Sequence, residues 1–550
     1  CIRDRYGVPP VLLYEVLPHF FHEIGGFAVS GIYSSFQAEG FVFGLFILFR
    51  AEHSQLEHFG EYQVSPLPRL FRMIERVIIG RSLGERRQCG AFGDCELARF
   101  LPEILLGGGA DNPVGEYFYW LPGIRFGLYA DSLSLPIALT IAVLGAVIAI
   151  YSQPYMDHSI HEQYHRENNN AHATYYALYL AYVASMMGVA LSTNLFEFYL
   201  FFELMIIPSW ALINAYGSGE RERIGYMYLM WSIFGAVIFV TGALSAYADT
   251  GSFEIADLAL VSGSPWAAFI VVSMLLGLTV KMAMFGFHIW LPFAHAEAPT
   301  PISALLSPAM IGLAAYAIVR MLLPITGVMD SSMVLTMLWG LITMIYGGMM
   351  VLPQNDIKRL LAYSSMSQMG YLFIGVASGT AIGVSGSMMH YVSHGLGKAV
   401  LFLSAGAIMH QTGLRDIRQL GGLAAKMPVT ATAFILGAMN IAGIPPTVGF
   451  ASKLMVFMGA FGPGLEGSTA ELIIAVVAIL STALTVGYTM WAMRRIFYGP
   501  LPEHLQEVEE APYLMTIPMA LLCLLSIILG LYPGLILNPL FEVVPGLLPV

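Results

Sequence analysis

The 550-residue chain is 57% hydrophobic and only 11% charged, and its mean hydropathy is +0.70. Soluble domains carry roughly a quarter charged residues, so this composition excludes a soluble globular protein and describes a polytopic membrane protein. The formal net charge of −11 does not identify a partner, because acidic loops on one side of a membrane produce it by themselves, and nucleic acid is not expected among the partners.

The chain begins at Cys1 without methionine or a signal-peptide pattern, as expected for a processed, truncated or renumbered sequence. Residues 1–120 form the least regular region. The run 24–49 is long enough to span a bilayer but is interrupted by Gln37 and Glu39. Arg69–Leu83 has apolar residues at helical spacing with arginines opposite. That pattern suits a basic amphipathic helix on a membrane or partner, and equally an ordinary solvated helix face. Cys89 and Cys95 are close in sequence but lack a second ligand pair at zinc spacing, so no metal is expected there.

From Tyr129 onward the pattern is regular. Apolar runs at 132–152, 173–192, 196–216, 225–247, 266–291, 301–323, 332–352, 360–378, 382–410, 428–461, 470–493 and 512–532 each suffice to cross about 30 Å of hydrocarbon as a helix. None alternates as a membrane β-strand would. Arg221, Arg223, Lys358, Arg359, Arg415, Arg418, Lys426, Arg494 and Arg495 fall in loops on one side, and Asp249, Glu254, Asp257, Glu466 and Glu471 on the other. The positive-inside rule makes the basic side cytoplasmic.

Two groups of five spans follow one another, and an odd number per group inverts the second relative to the first. In each group the fourth member carries proline and a lysine: Lys281 before Pro292, and Lys453 after Pro445 and Pro446. Interrupted spans at matching positions of two halves point to an ion or substrate site at mid-membrane. The segment Lys281–Ser307 is the more polar of the two, with His288, His295 and Glu297 around Pro292, Pro299 and Pro301; the prolines are expected to break the helix.

Glu203 sits inside an apolar span, where a carboxylate costs about 2.5–3.5 kcal/mol and requires a partner; Lys281 is the candidate. A structural ion pair is the plainer alternative. His390, His394 and Lys398 recur every four residues and therefore share one helix face, with Gly395 and Gly397 leaving room for water or a local loosening. Burial makes a lysine release its proton more readily and a neighbouring carboxylate reverses that, while histidine passes protons near neutral pH. Glu203, Lys281, His288, His390, His394, Lys398 and Lys453 are thus the expected translocation residues, with no catalytic, metal or cofactor site of the chain's own.

On FFELMIIP, KMAMFGFHIWLPFAHAEAPTPISALLS, HGLGKAVLFLSAG and IAGIPPTVGFASK, the chain from about Tyr119 to Val550 resembles the antiporter-like membrane subunits of complex I, F420H2 dehydrogenase, energy-converting hydrogenases and Mrp-type sodium/proton antiporters. The resemblance implies about fourteen transmembrane helices with two inverted five-helix repeats. It makes Glu203 and Lys281 the family's glutamate–lysine pair, Lys398 its central lysine and Lys453 its terminal lysine. Many members carry a lysine eight residues before the counterpart of Arg320, where this chain has Gly312, so continuity from Lys281 to His390 is expected to run through His288, Ser307 or water.

The expected parts are an N-terminal region 1–120, a peripheral helix and loop 121–172, bundles at 173–323 and 332–493, and a C-terminal loop and peripheral helix 494–550. The expected function is proton translocation within a redox-driven, multi-subunit oxidoreductase complex in the inner or plasma membrane of a prokaryote, among lipid and other membrane subunits. A sodium/proton antiporter subunit and an intramembrane metalloenzyme using His390 and His394 are the rivals.

Overall fold

The computed structural model describes residues 114–121, 124–164, 169–465 and 467–548. The readings made on 24–49, on Arg69–Leu83 and on Cys89 and Cys95 lie outside these residues.

The described chain opens with an antiparallel hairpin, β1 (Val114–Leu121) and β2 (Ile124–Ala130), in which Phe118 lies opposite Phe126. Asp131 ends it and caps the first helix, its Oδ1 accepting from the backbone N–H groups of Leu133 (3.1 Å) and Ser134 (2.8 Å). Helices follow in order: α1 (Ser134–Tyr164), α2 (Asn169–Leu191), α3 (Leu195–Leu204), α4 (Ile206–Tyr216), α5 (Arg221–Thr250), α6 (Ala267–Lys281), α7 (Trp290–Glu297) and α8 (Thr300–Leu305). α8 runs on through a π-turn (Leu306–Met310), α9 (Leu313–Ala317) and a second π-turn (Ile318–Leu322) as one membrane-length rod. Then come α10 (Val328–Val351), α11 (Ile357–Ala377), α12 (Ala381–Thr412), α13 (Pro428–Ala442), α14 (Val448–Leu465), α15 (Thr469–Phe497), α16 (Tyr513–Leu531) and α17 (Gly534–Val543).

Ten described helical segments are long and apolar enough to span a membrane, counting α3–α4 and the Thr300–Leu322 rod as single passes. α11 has the length but carries Lys358, Arg359, Ser364, Ser365, Ser367 and Gln368; these polar groups are buried or half-buried inside the protein instead of facing lipid. α6 and α13 are apolar but short, each the first half of a broken span. The rod Thr300–Leu322 and α12 are almost wholly enclosed, whereas α15 and α16 leave most of their surface outward, so the rod and α12 form the centre.

The first break is not where proline predicts it. α6 stops at Lys281, and the chain turns through Ala283 (φ 55°) and Gly286 (φ 98°) before α7 begins. Pro292 sits in the first turn of α7 and Pro301 in that of α8, where a missing N–H costs nothing. The turn is held by side chains: Trp290 Nε1 donates to the Val280 carbonyl (3.1 Å), and Thr343 Oγ1 accepts from the Phe285 N–H (3.1 Å). The second break does fall at Gly443–Pro446. There the backbone at Gly449 packs so closely on the Asn440 carbonyl that no side chain fits, and the Asn440 Oδ1 accepts the Gly449 N–H (2.8 Å). α12, by contrast, runs unbroken through Gly395 and Gly397.

Polar contacts sort the loops into two ends. At the basic end Arg415 meets Asp356 (2.8 Å), Glu297 (3.7 Å) and Ser218 (3.3 Å). At the acidic end Arg125 meets Glu254 (3.1 Å), and Arg320 grips Asp131 with both terminal nitrogens (2.7 and 2.6 Å).

Candidate functional site

Glu203 and Lys281 each stand where a helix stops. Pro208 cannot donate to the carbonyl one turn back, so the span divides at Met205, and the Ser209 hydroxyl donates to the Met205 (2.8 Å) and Ile206 (2.9 Å) carbonyls there. Glu203, near the end of α3, is half-buried, and its Oε1 is shielded without a hydrogen-bond partner among the described residues. Lys281, the last residue of α6, is 2% exposed, and its Nζ also lacks one. The ammonium lies over the rings of Phe202 (5.4 Å) and Tyr228 (5.7 Å), and Glu203 lies within electrostatic range of it.

The second cluster centres on α12. Lys398 is fully buried, and its Nζ donates to the Leu361 carbonyl (2.9 Å) and the Ser364 hydroxyl (2.7 Å), both on α11. Ser364 Oγ in turn donates to the Tyr488 hydroxyl (2.9 Å). One turn back along the same face, His394 has no protein partner on either ring nitrogen, yet it feels the charges of Lys398, His390, His295 and Lys453. His390 Nδ1 shares a hydrogen bond with Ser452 Oγ (3.0 Å). Lys453, next to Ser452 on α14, donates to the Ile441 carbonyl (2.7 Å) and lies 4.0 Å from the Tyr371 ring centroid. Among the described residues no carboxylate pairs with Lys398 or Lys453.

Two residues outside the expected set extend this cluster toward the basic end. His295 on α7 is fully buried, stacked on Phe402 (5.0 Å between centroids), with neither ring nitrogen bonded to protein, and it lies in the field of both Lys358 and Lys398. Lys358, which the sequence assigns to a basic loop, is 1% exposed, and its Nζ donates to the Ala298 carbonyl. Asp356 caps the start of α11 and turns Lys358 inward, while Arg415 holds Asp356 and Glu297 at the mouth. The signal for Lys358 was a lysine six residues before the serines of a polar helical face, hidden because it counts equally well as a topology charge.

His288 lies elsewhere: its ring packs against Tyr346 (4.9 Å) and Phe285 (6.0 Å), and among the described residues no charged group acts on it. Ser307 Oγ is hydrogen-bonded to Ser365 Oγ (2.6 Å), and Ser365 donates to the Leu361 carbonyl that also receives Lys398. Among the described residues no three histidine, cysteine or acidic side chains are placed to hold a metal, so His390 and His394 have no third ligand.

Known proteins match the chain as follows. Residues 192–482 match the family described as the transmembrane part of NADH:quinone oxidoreductase and Mrp antiporters, and residues 121–166 match the N-terminal part of complex I chain 5. F420H2 dehydrogenase subunit M of Methanosarcina mazei is 31% identical over 77% of this chain and 84% of its own length. NADH-quinone oxidoreductase subunit N of Desulforudis audaxviator is 30% identical over 77% and 85%. Sodium/proton antiporter subunit A1 of Staphylococcus aureus is 32% identical, and the chain spans 56% of its length. Among solved structures, a chain of the Mrp complex from Dietzia sp. superposes with a TM-score of 0.73 at 23% identity, covering 88% of this chain and 92% of that one. A chain of respiratory complex I from Thermus thermophilus gives 0.71 at 24%, covering 82% and 93%; both share the fold.

Proposed function

The chain belongs to the antiporter-like membrane subunits of the NADH:quinone oxidoreductase and Mrp antiporter family, and on that premise we propose that it moves protons through a mid-membrane chain of charged residues inside a larger complex. The observation that carries this reading is Lys398: fully buried and, among the described residues, held by a carbonyl and a hydroxyl and flanked by His295 and His394, whose ring nitrogens have no hydrogen-bond partner there. A lysine kept only for stability would have a carboxylate beside it; one poised to gain and lose a proton needs ligands that tolerate both forms.

In this reading a proton enters at the basic, cytoplasmic end past Glu297, Arg415 and Asp356, and reaches Lys358 and His295. It then passes Lys398, His394 and His390 to Lys453. Glu203 and Lys281 form the switch of the first half: their separation or approach changes the charge felt downstream. The fold completes to about fourteen transmembrane helices with two inverted five-helix repeats, bundles at 173–323 and 332–493, and flanking parts at 1–120, 121–172 and 494–550. The complex sits in the inner or plasma membrane of a prokaryote, with a redox module on a separate subunit supplying energy.

The test is proton movement in vesicles containing the intact complex. With Lys398→Ala, acidification driven by the redox reaction should stop while assembly persists; a mutant complex that acidifies at the normal rate overturns the reading. The similarity to the sodium/proton antiporter subunit favours a second reading, exchange of sodium for protons by the same residues. Sodium-dependent proton exchange without any electron donor would establish it in place of redox-driven pumping.

A further inference from the structure

The rod Thr300–Leu322 packs against both α6, which ends at Lys281, and α12, which carries the histidines, and at position 312 it has glycine in place of a titratable side chain. Phenols fill the space. Tyr228 on α5, whose ring lies against Lys281, shares a hydrogen bond with the Ser209 hydroxyl (2.7 Å), and its own hydroxyl is 3.5 Å from the Met310 sulfur. Tyr391 on α12, next to His390 and one turn before His394, donates to the Ala309 carbonyl (3.1 Å). Both phenols therefore reach the same π-turn, one from each half of the molecule. Gly312 makes room for the second: a Cβ there would lie 2.5 and 2.8 Å from Tyr391 ring carbons.

Tyr182 on α2 is the third. It is fully buried, and Tyr228, Tyr391 and Tyr179 all lie within electrostatic range of it. Among the described residues it is the one tyrosine with a buried hydroxyl that has no protein partner. Tyr151, Tyr179 and Tyr316 are held more tightly, each donating to a backbone carbonyl at 2.7 Å against 3.1 Å for Tyr391.

We propose that Tyr228, Tyr182 and Tyr391, with water between them, form a hydroxyl bridge that carries protons between Lys281 and the His390–His394 stripe. The bridge stands in for a titratable side chain on the Thr300–Leu322 rod. Each phenol oxygen accepts a proton on a lone pair and releases its own to the next acceptor, so one proton crosses and no phenol is left charged. Rotation of the hydroxyls resets the row. This inference rests on the ion-translocation reading above.

Replacing tyrosine by phenylalanine keeps each ring and removes only the hydroxyl. In vesicles containing the intact complex, Tyr182→Phe should lower proton translocation by about fivefold or more, equivalent to roughly 1 kcal/mol in the barrier. It should also enlarge the slowing in D2O, because transfer across the gap becomes limiting. Tyr391→Phe should behave alike, and Tyr151→Phe, which removes a hydrogen bond to the Leu403 carbonyl away from the three phenols, should not. An unchanged rate in Tyr182→Phe and Tyr391→Phe overturns the bridge, as does a reduced rate with an unchanged isotope effect. Lys281→Ala in the same vesicles separates the two levels: if it pumps normally the underlying reading fails, and if it is inactive while Tyr182→Phe is normal, only the bridge fails.

Discussion

Lys281 and Lys398 are both buried lysines, but they are stabilised differently. Lys281 has a carboxylate within electrostatic reach and aromatic faces around it, and its Nζ is bonded to nothing in the protein. Lys398 has no carboxylate beside it among the described residues and is bonded to a carbonyl and a hydroxyl. Coulomb attraction and cation–π contact favour only the charged lysine, and they change with distance to the partner. Hydrogen bonds to neutral acceptors also serve a neutral amine, which can still donate. The first site is therefore suited to sensing position, and the second to exchanging protons in place.

The largest test of this contrast is loss of each ammonium. Lys281→Ala and Lys398→Ala should each reduce pumping by about a hundredfold or more, roughly 3 kcal/mol in the barrier, with assembly intact on native gels. If only Lys398→Ala is inactive, the first site is an anchor and the contrast collapses. Glu203→Gln should come next, at about tenfold, because among the described residues the carboxylate is the counter-charge that acts on Lys281; Glu203→Asp should recover part of the rate. A normal rate in Glu203→Gln breaks the comparison at its premise. Ser364→Ala should cost about three- to fivefold, near 1 kcal/mol, since the Leu361 carbonyl remains to hold Lys398.

The smallest effect on transport should come from Asp131→Asn, which touches neither lysine. Burial alone would favour a protonated Asp131, but the Arg320 guanidinium outweighs it and holds the carboxyl below its usual range. A carboxylate lowered in the folded state stabilises the protein above its ordinary value of about 3.9, and that contribution is lost as pH falls through the lower folded value. Thermal unfolding in detergent should therefore show a loss of stability below about pH 4 that Asp131→Asn does not show. The variant itself should be less stable by about 1–3 kcal/mol at neutral pH, because half-buried Arg320 loses its counter-charge while keeping a neutral acceptor. Pumping per assembled complex should be unchanged.

Much of the molecule was legible as a sequence because hydrocarbon imposes simple rules. Span lengths, loop charges and the rarity of intramembrane charge marked α12 with its four-residue histidine and lysine spacing, and also marked Glu203, Lys281 and Lys453. Three features were not legible, each because a local rule has more than one outcome. Proline at 292 reads as a breaker but also opens helices, and only the fold shows that Ala283 and Gly286 make the turn. Lys358 reads as a loop charge because nothing local shows that Asp356 turns it inward to the Ala298 carbonyl. Tyr182, Tyr228 and Tyr391 lie on three different helices and have no common spacing in the chain. Only the packing around the π-turn brings two of them to adjacent residues, Ala309 and Met310.

That π-turn also sets the rotational phase of the rod. A π-turn absorbs one extra residue within a helix, and without it every side chain beyond would be turned by about 100°. The residue facing the Tyr391 ring would then no longer be Gly312 but a neighbour with a side chain, and the ring has no space for one. Relaxation of Leu306–Met310 to ordinary α geometry would thus expel the phenol from its seat. A single turn of backbone acts as an indexing tooth that decides whether the two halves of the molecule engage.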